Sequence, residues 1–529
     1  MNHLSQLAES AAQRMGDNVC LEFDGEQFTY RQLFDNGLRM QAGLAAQGFV
    51  PGTRAIVLSM NNRLLYPLFQ GIYRTGATAI PVMPQAAVAE LRYVIEDTQA
   101  EFIITDAERL ATAREAAAGL SFVRAILVAG GVDEPKASPP IVRLDALMDF
   151  AHAEQMPPVH EDDVAVMLYS SGTTGRPKGV LLTHRNLISC AEAVSECAEL
   201  HSWEGPRITL SAMPIAHIFG VAIMHDLFMT PTDLADRSRL IQMKWFDPER
   251  FMAMIQEHKI TTFAAVPTIL AVMLGHPIAR KYDMSSIKEV ICGGAPLPVE
   301  LAHAFMQRFD CRIREVYGLT EAAGLGTASR RSHPFRAGSA GRAYLHVELA
   351  ILDDDDQPVP TGERGEICLR GPSVMHGYHN RPAETEQILR NGWLHTGDVG
   401  QLDEEGFLYV VDRKKDMIIR GGENIYPAEL EAVLHEHAGV VEAAVVGVPD
   451  AIYGENVVAF VVPRPGAAVG EPELVAHVCT RVARFKAPSR VHFLPALPKS
   501  GLGKILRRVL RDQAVAQAAP QAAPEVSSS

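Results

Sequence analysis

Short apolar runs and segments of helical spacing alternate along the first three hundred residues. Arg54-Ala55-Ile56-Val57-Leu58, Phe102-Ile103-Ile104-Thr105 and Arg124-Ala125-Ile126-Leu127-Val128 are rich in β-branched residues and read as strands, separated by Ala/Leu/Glu-rich helical stretches. This alternation predicts an α/β fold of several layers. From Val347 to Leu369 the rhythm changes to closely spaced strands, punctuated by Asp353 to Gln357 and by Pro360-Thr361-Gly362. A β-rich subdomain over 347–411 is expected there. Beyond the charged stretch Asp412-Arg413-Lys414-Lys415-Asp416, a helix (Ala428 to Glu436), strands and further helices predict a small α+β unit ending near Asp512. The expected organisation is a large N-terminal domain (1–412), a small C-terminal domain (413–512), and a disordered Ala/Pro/Gln/Ser-biased tail (513–529) that lacks the periodicity to pack.

Composition narrows the class. A chain of 529 residues is too long for one core, and 47% hydrophobic with 21% charged residues excludes a largely disordered protein. The formal charge of −14 argues against general affinity for nucleic acid or anionic membranes, so anionic ligands need local groups to hold them. The seven cysteines include no C-x-x-C pair, which argues against a disulfide framework or a zinc site. The first residues, Met1-Asn2-His3-Leu4-Ser5-Gln6-Leu7-Ala8-Glu9-Ser10, are polar where a signal peptide needs a basic start and an apolar core, and no apolar run reaches membrane-spanning length. A cytoplasmic protein with reduced thiols and no integral membrane segment is expected.

The chemistry concentrates in Tyr169-Ser170-Ser171-Gly172-Thr173-Thr174-Gly175-Arg176-Pro177-Lys178-Gly179, which follows the apolar strand Val164 to Leu168. Hydroxyls, glycine amides and one lysine are the groups that wrap a polyphosphate. The G-x-x-x-x-G-K-[ST] pattern cannot be laid over this loop, because Lys178 stands between Pro177 and Gly179; an ordinary P-loop ATPase is disfavoured.

The loop resembles the phosphate loop of the adenylate-forming superfamily, which includes acyl-CoA synthetases, 4-coumarate ligases, firefly luciferase and peptide-synthetase adenylation domains. Further matching segments follow in the family's order: Pro214-Ile215-Ala216-His217-Ile218-Phe219-Gly220, Gly293-Gly294-Ala295-Pro296, Tyr317-Gly318-Leu319-Thr320-Glu321, Thr396-Gly397-Asp398, Asp412-Arg413, Gly421-Gly422-Glu423-Asn424 and Pro498-Lys499-Ser500-Gly501-Leu502-Gly503-Lys504. The resemblance spans about residues 20 to 510.

It implies an ATP-dependent carboxylic acid:CoA ligase that uses ATP, Mg²⁺ and coenzyme A. Ser170, Ser171, Gly172, Thr173, Thr174, Gly175 and Lys178 would hold phosphates, and Thr320 and Glu321 the α-phosphate and Mg²⁺. Tyr317, Gly318, Gly293, Gly294, Ala295 and Pro296 would flank adenine and the acyl group. Asp398 and Arg413 would take the ribose hydroxyls, and His217 would stand at the mouth of the acid pocket. Lys504 would bridge the substrate carboxylate and the α-phosphate. Lys415 would be the hinge residue, and Arg420, Gly421, Gly422 and Glu423 would line a pantetheine tunnel.

The stretches expected to form the acid pocket, His217 to Met224, Phe263 to Val266 and Leu319 to Gly326, are rich in small and apolar residues. A medium- or long-chain fatty acid is the first expectation and an aromatic acid the second. Amino-acid activators of the family hold the α-ammonium with an Asp; Asp226 is the nearest match and a poor one. Rival readings are an acyl-AMP ligase loading a separate acyl carrier protein, a luciferase-like oxygenase and a nucleotide-sensing scaffold. Cys292 is expected to be a packing residue, and Asp353-Asp354-Asp355-Asp356 a solvated hairpin, since metal sites need convergent rather than consecutive carboxylates.

Overall fold

The computed structural model describes residues 1–131, 133–170, 177–421, 423–450, 452–499 and 505–518. They form two compact units: a larger one of Met1–Ala350, Cys368–Thr396 and Glu404–Leu408, and a smaller one of Ile351–Ile367, Gly397–Asp403 and the described part of Tyr409–Ser529.

Among the described residues, the larger unit holds two big sheets. In the eight-stranded one, Arg54–Leu58, Thr78–Val82, Phe102–Asp106, Ala125–Ala129 and Val164–Ser170 run parallel, while Lys178–Thr183 and Gly377–Tyr378 add antiparallel strands at one edge. Ala55 to Leu58 are all buried, as a parallel strand covered on both faces demands. The covering helices are set by local signals. Tyr30–Ala46 begins with a capping box in which Thr29 and Gln32 satisfy each other's backbone amides.

The nine-stranded sheet has a parallel centre of Arg312–Gly318, Glu289–Gly293, Thr262–Ala265, Arg207–Ser211, Ser238–Gln242 and Val19–Phe23. Phe251, Phe263 and Phe305 make a fully buried aromatic row against one face, with ring centroids 5.3 and 6.4 Å apart. Where the parallel strands begin, charge is buried. Glu289 lies 3.4 Å from Arg314 and 3.3 Å from Arg331, and Arg207 lies 3.6 Å from Asp226. Where they end, the loops carry the segments singled out above, the usual place for a ligand in an open parallel sheet.

The smaller unit contains a sheet of Glu423–Ile425, Ile418–Arg420, Gly454–Pro463, Val440–Asp450 and Arg490–Phe493, packed with helices Pro427–His435, Glu471–Cys479 and Arg507–Ala518. Asp353 to Asp356 form a turn in which Asp353 Oδ1 accepts the amides of Asp355 and Gln357, so a hairpin is what the four carboxylates build. One expectation needs correction: the last helix runs into the stretch taken for a disordered tail. Alanine is the best helix former and Ala514 is buried beside Leu510, which extends the helix past Asp512. The rest of that stretch, 519–529, lies outside the described residues. Among the described residues no helix is long and apolar enough to cross a membrane.

Candidate active site

In the larger unit, the strand Arg312–Gly318 delivers the most informative group. Its residues alternate between faces, so Ile313, Glu315 and Tyr317 share one side and Arg314 and Val316 the other. The chain then turns sharply at Thr320–Ala322, with Ala323 and Gly324 at positive φ. Gly318 cannot carry a side chain there, because a Cβ would lie 2.0 Å from the carbonyl oxygen of Gly324. This close approach holds Thr320 and Glu321 at the strand's end.

Glu321 meets the phosphate-loop strand across the gap between the two sheets. Ser170 Oγ, the last residue of Val164–Ser170, donates to Glu321 Oε1 at 3.4 Å, and Tyr378 Oη donates to the same oxygen at 2.9 Å. Lys178 begins the next strand, with its ammonium 5.1 Å from the centre of the Tyr378 ring and paired with Glu384. The structure therefore gathers Ser170, Lys178, Thr320 and Glu321 on one side of the larger unit. Ser171, Gly172, Thr173, Thr174 and Gly175 lie outside the described residues.

Gly293 ends its strand beside Val316, where a Cβ would come within 2.4 Å of the Val316 side chain, and Gly294, Ala295 and Pro296 follow exposed. The ring of Tyr317 lies against Gly326, whose missing side chain leaves room for it. His217 caps the helix Ile218–Asp226, its Nδ1 accepting the Phe219 amide at 3.2 Å. A neutral ring then carries its proton on Nε2. Phe219, Ile223 and Val266 pack half-buried against one core, and Gly324 faces Ile218, so parts of the three apolar stretches adjoin. Asp226 is buried against Arg207, and burial raises its pKa. Its carboxyl is committed to that pair rather than to an incoming ammonium. Cys292 is fully buried, and burial pushes its thiol well above the ordinary range, which fits packing rather than reactivity.

In the smaller unit, Arg413 Nε lies 3.1 Å from the buried Asp398 carboxylate. Asp412 accepts the amides of Arg413 and Ala428, and burial raises its pKa to about 6. Lys415 is exposed as a residue, and desolvation of its ammonium lowers its pKa. Arg420 stacks 4.9 Å from the Tyr453 ring and donates to the Phe485 carbonyl, while Gly421, at φ +61°, turns a hairpin towards Glu423. Gly422 and Lys504 lie outside the described residues.

Three residues near these groups escaped the reading of the sequence. Tyr378 and Glu384 lie far along the chain from Glu321 and Lys178. Glu315 is the third: it lies two positions before Tyr317 on a strand that also carries Arg312 and Arg314, so the sequence pattern does not single it out. Burial raises its pKa from 4.5 to about 8. A raised folded-state value means that its contribution to stability is complete below pH 4.5 and is lost as pH rises through 8. Glu315→Gln removes that contribution. The loss of unfolding free energy between pH 5 and pH 9, followed by urea titration, is expected to shrink relative to the parent; an unchanged slope would place the Glu315 carboxyl in water.

Comparison with known proteins shows the family. The family model of AMP-binding enzymes matches residues 7–379, and that of the AMP-binding enzyme C-terminal domain matches 429–504. The chain belongs to the AMP-binding, adenylate-forming enzyme family. This adenylate-forming enzyme is 37% identical to a feruloyl-CoA synthase of an Amycolatopsis species, over 92% of this chain and 94% of the relative. It is 35% identical to a long-chain-fatty-acid–CoA ligase of Bacillus subtilis, over 96% and 94%. Among solved structures it resembles o-succinylbenzoate CoA synthetase of Bacillus subtilis in complex with its acyl-adenylate intermediate, with a TM-score of 0.80, 30% identity and coverage of 96% and 98%.

Proposed function

We propose that this adenylate-forming enzyme is an ATP-dependent carboxylic acid:CoA ligase acting on a medium- or long-chain fatty acid. The observation that carries the reading is the meeting of Ser170 with Glu321 at the ends of two strands from different sheets, with Lys178 and Thr320 nearby. That places hydroxyls, a carboxylate and an ammonium together, as a metal-bound polyphosphate requires.

A carboxylate is a poor electrophile. Its oxygen attacks the α-phosphorus of ATP, forming acyl-AMP and releasing pyrophosphate; the thiol of coenzyme A then attacks the acyl carbon and AMP leaves. The first step brings two anions together, so cationic groups supply the main stabilisation. Lys504 bridges the carboxylate and the α-phosphate, Lys178 and the phosphate-loop hydroxyls hold the leaving phosphates, and Thr320 donates to the α-phosphate. The oxygen donors at Glu321 suit Mg²⁺, which when bound neutralises phosphate charge. Asp398 and Arg413 orient the ribose, and His217 orients the acid. In the second step Arg420 to Glu423 take the pantetheine arm of coenzyme A, with Lys415 as the hinge residue of the small domain.

The apolar character of Phe219, Ile223 and Val266 supports a hydrocarbon chain, as does the similarity to the long-chain ligase. The greater identity to a feruloyl-CoA synthase favours an aryl acid as the second reading. A chain-length series separates them. Each methylene buried in an apolar pocket contributes about 0.8 kcal/mol, so kcat/KM is expected to rise roughly fourfold per carbon until the pocket ends. Thioester mass is measured with coenzyme A and with a phosphopantetheinyl carrier protein as acceptors. A flat series with strong turnover of cinnamic-type acids supports the aryl reading, and product formed only on the carrier protein makes the enzyme a carrier-loading ligase.

A further inference from the structure

The short segment from Gly377 to Thr385 is not among the motifs read from the sequence, yet it touches both charged groups of the phosphate site. Gly377–Tyr378 pairs with Leu181 and Val180 of the Lys178–Thr183 strand, and the Tyr378 amide is held by Thr385 Oγ1 at 2.9 Å. Tyr378 is therefore fixed at its backbone. Its side chain, 8% exposed as a residue, runs beneath Lys178 and ends on Glu321.

The hydrogen bonds to the Glu321 carboxylate are unevenly shared. Among the described residues, Ser170 Oγ and Tyr378 Oη both donate to Oε1, while the Met375 amide holds the backbone carbonyl of Glu321 at 2.8 Å. Two donors on one oxygen fix the plane of the carboxylate and leave the second oxygen to face a cation. Of the two, the Tyr378 bond is the shorter and its hydroxyl sits on a buried, strand-anchored ring. Ligating carboxylates are oriented by such outer partners, and losing one costs metal affinity.

We infer that Tyr378 is a positioning residue for this reaction: its hydroxyl aligns the Glu321 carboxylate for the divalent cation that accompanies ATP. The inference rests on the reading of Glu321 as the cation ligand. Tyr378→Phe removes the hydroxyl while keeping the ring that underlies Lys178 and the backbone pairing with Val180, so the fold and the lysine remain in place.

The test is a binding measurement on the full chain. Affinity for α,β-methylene-ATP is measured with excess Mn²⁺ and, separately, with EDTA. The ratio of the two is the gain that the metal confers. Tyr378→Phe is expected to leave the affinity in EDTA within about twofold of the parent and to reduce the metal-dependent gain by about tenfold. Glu321→Gln is expected to abolish the gain. An unchanged gain in Tyr378→Phe alongside its loss in Glu321→Gln would overturn the role of Tyr378 alone. An unchanged gain in both would overturn the reading of Glu321. Equal weakening with and without metal, with a lowered melting temperature, would reduce Tyr378 to a packing residue and also overturn the inference.

Discussion

Lys504→Ala is expected to lower kcat/KM for acid-dependent pyrophosphate release by about 10²–10³-fold, the usual cost of removing one group that stabilises charge in the transition state. The reason is electrostatic. The acid's carboxylate and the α-phosphate repel each other until a cation lies between them, and a methyl group offers neither charge nor a hydrogen-bond donor. Thioester formation involves no such approach of two anions. Supplied with preformed acyl-adenylate and coenzyme A, the variant is expected to retain activity within about tenfold of the parent, a difference of roughly 1.4 kcal/mol. Quenched-flow measurement of each half-reaction separates the two. Equal losses in both steps would show that Lys504 serves the fold or the docking of substrate rather than adenylation.

The second large effect is on stability. Arg314→Met is expected to cost about 3–5 kcal/mol, the range found when one partner of a buried ion pair is removed. The side chains of Arg314 and Glu289 are 4% and 6% exposed, and the variant leaves the Glu289 carboxylate with only the more exposed Arg331. The apparent melting temperature should fall on the order of 5 °C or more. Arg314→Met combined with Glu289→Met is expected to recover only part of the loss, because the buried carboxylate is then gone while Arg331, 21% exposed, loses its partner. Arg312→Met, at an exposed position two residues earlier, should change little. A fall that the double variant deepens would mean that the network is held by its packing.

How far the sequence could be read follows from what each feature depends on. Arg54 to Leu58 was legible as a strand because every residue after Arg54 is apolar and the strand is covered on both faces, so local pattern and burial agree. The turn at Asp353 was legible for a similar reason, since its hydrogen bonds join residues two and four apart. Ser170 and Lys178 could be picked out because they lie in a run of turn and phosphate-binding residue types, whereas Thr320 and Glu321 stood out only through the resemblance of Tyr317-Gly318-Leu319-Thr320-Glu321 to the family's segment. The Tyr378–Glu321 contact spans 57 residues and joins a two-residue strand to a turn, so no periodicity announces it. The pairing of Asp226 with Arg207 is likewise set by packing. The end of the last helix was misjudged because composition alone, rich in Ala and Gln, fits a loose tail as well as a helix once Ala514 finds a core to join.

The central claim, that a carboxylic acid is activated as its adenylate before any thiol takes part, is tested most directly by isotope exchange. The purified enzyme is given ATP, Mg²⁺ and labelled pyrophosphate with a fatty acid and no coenzyme A, and label entering ATP is followed. The account predicts exchange that requires the acid, fails in Lys504→Ala, and is drained into acyl-CoA and AMP when coenzyme A is added. Exchange without acid, or thioester formation with no acid-dependent exchange, would contradict it.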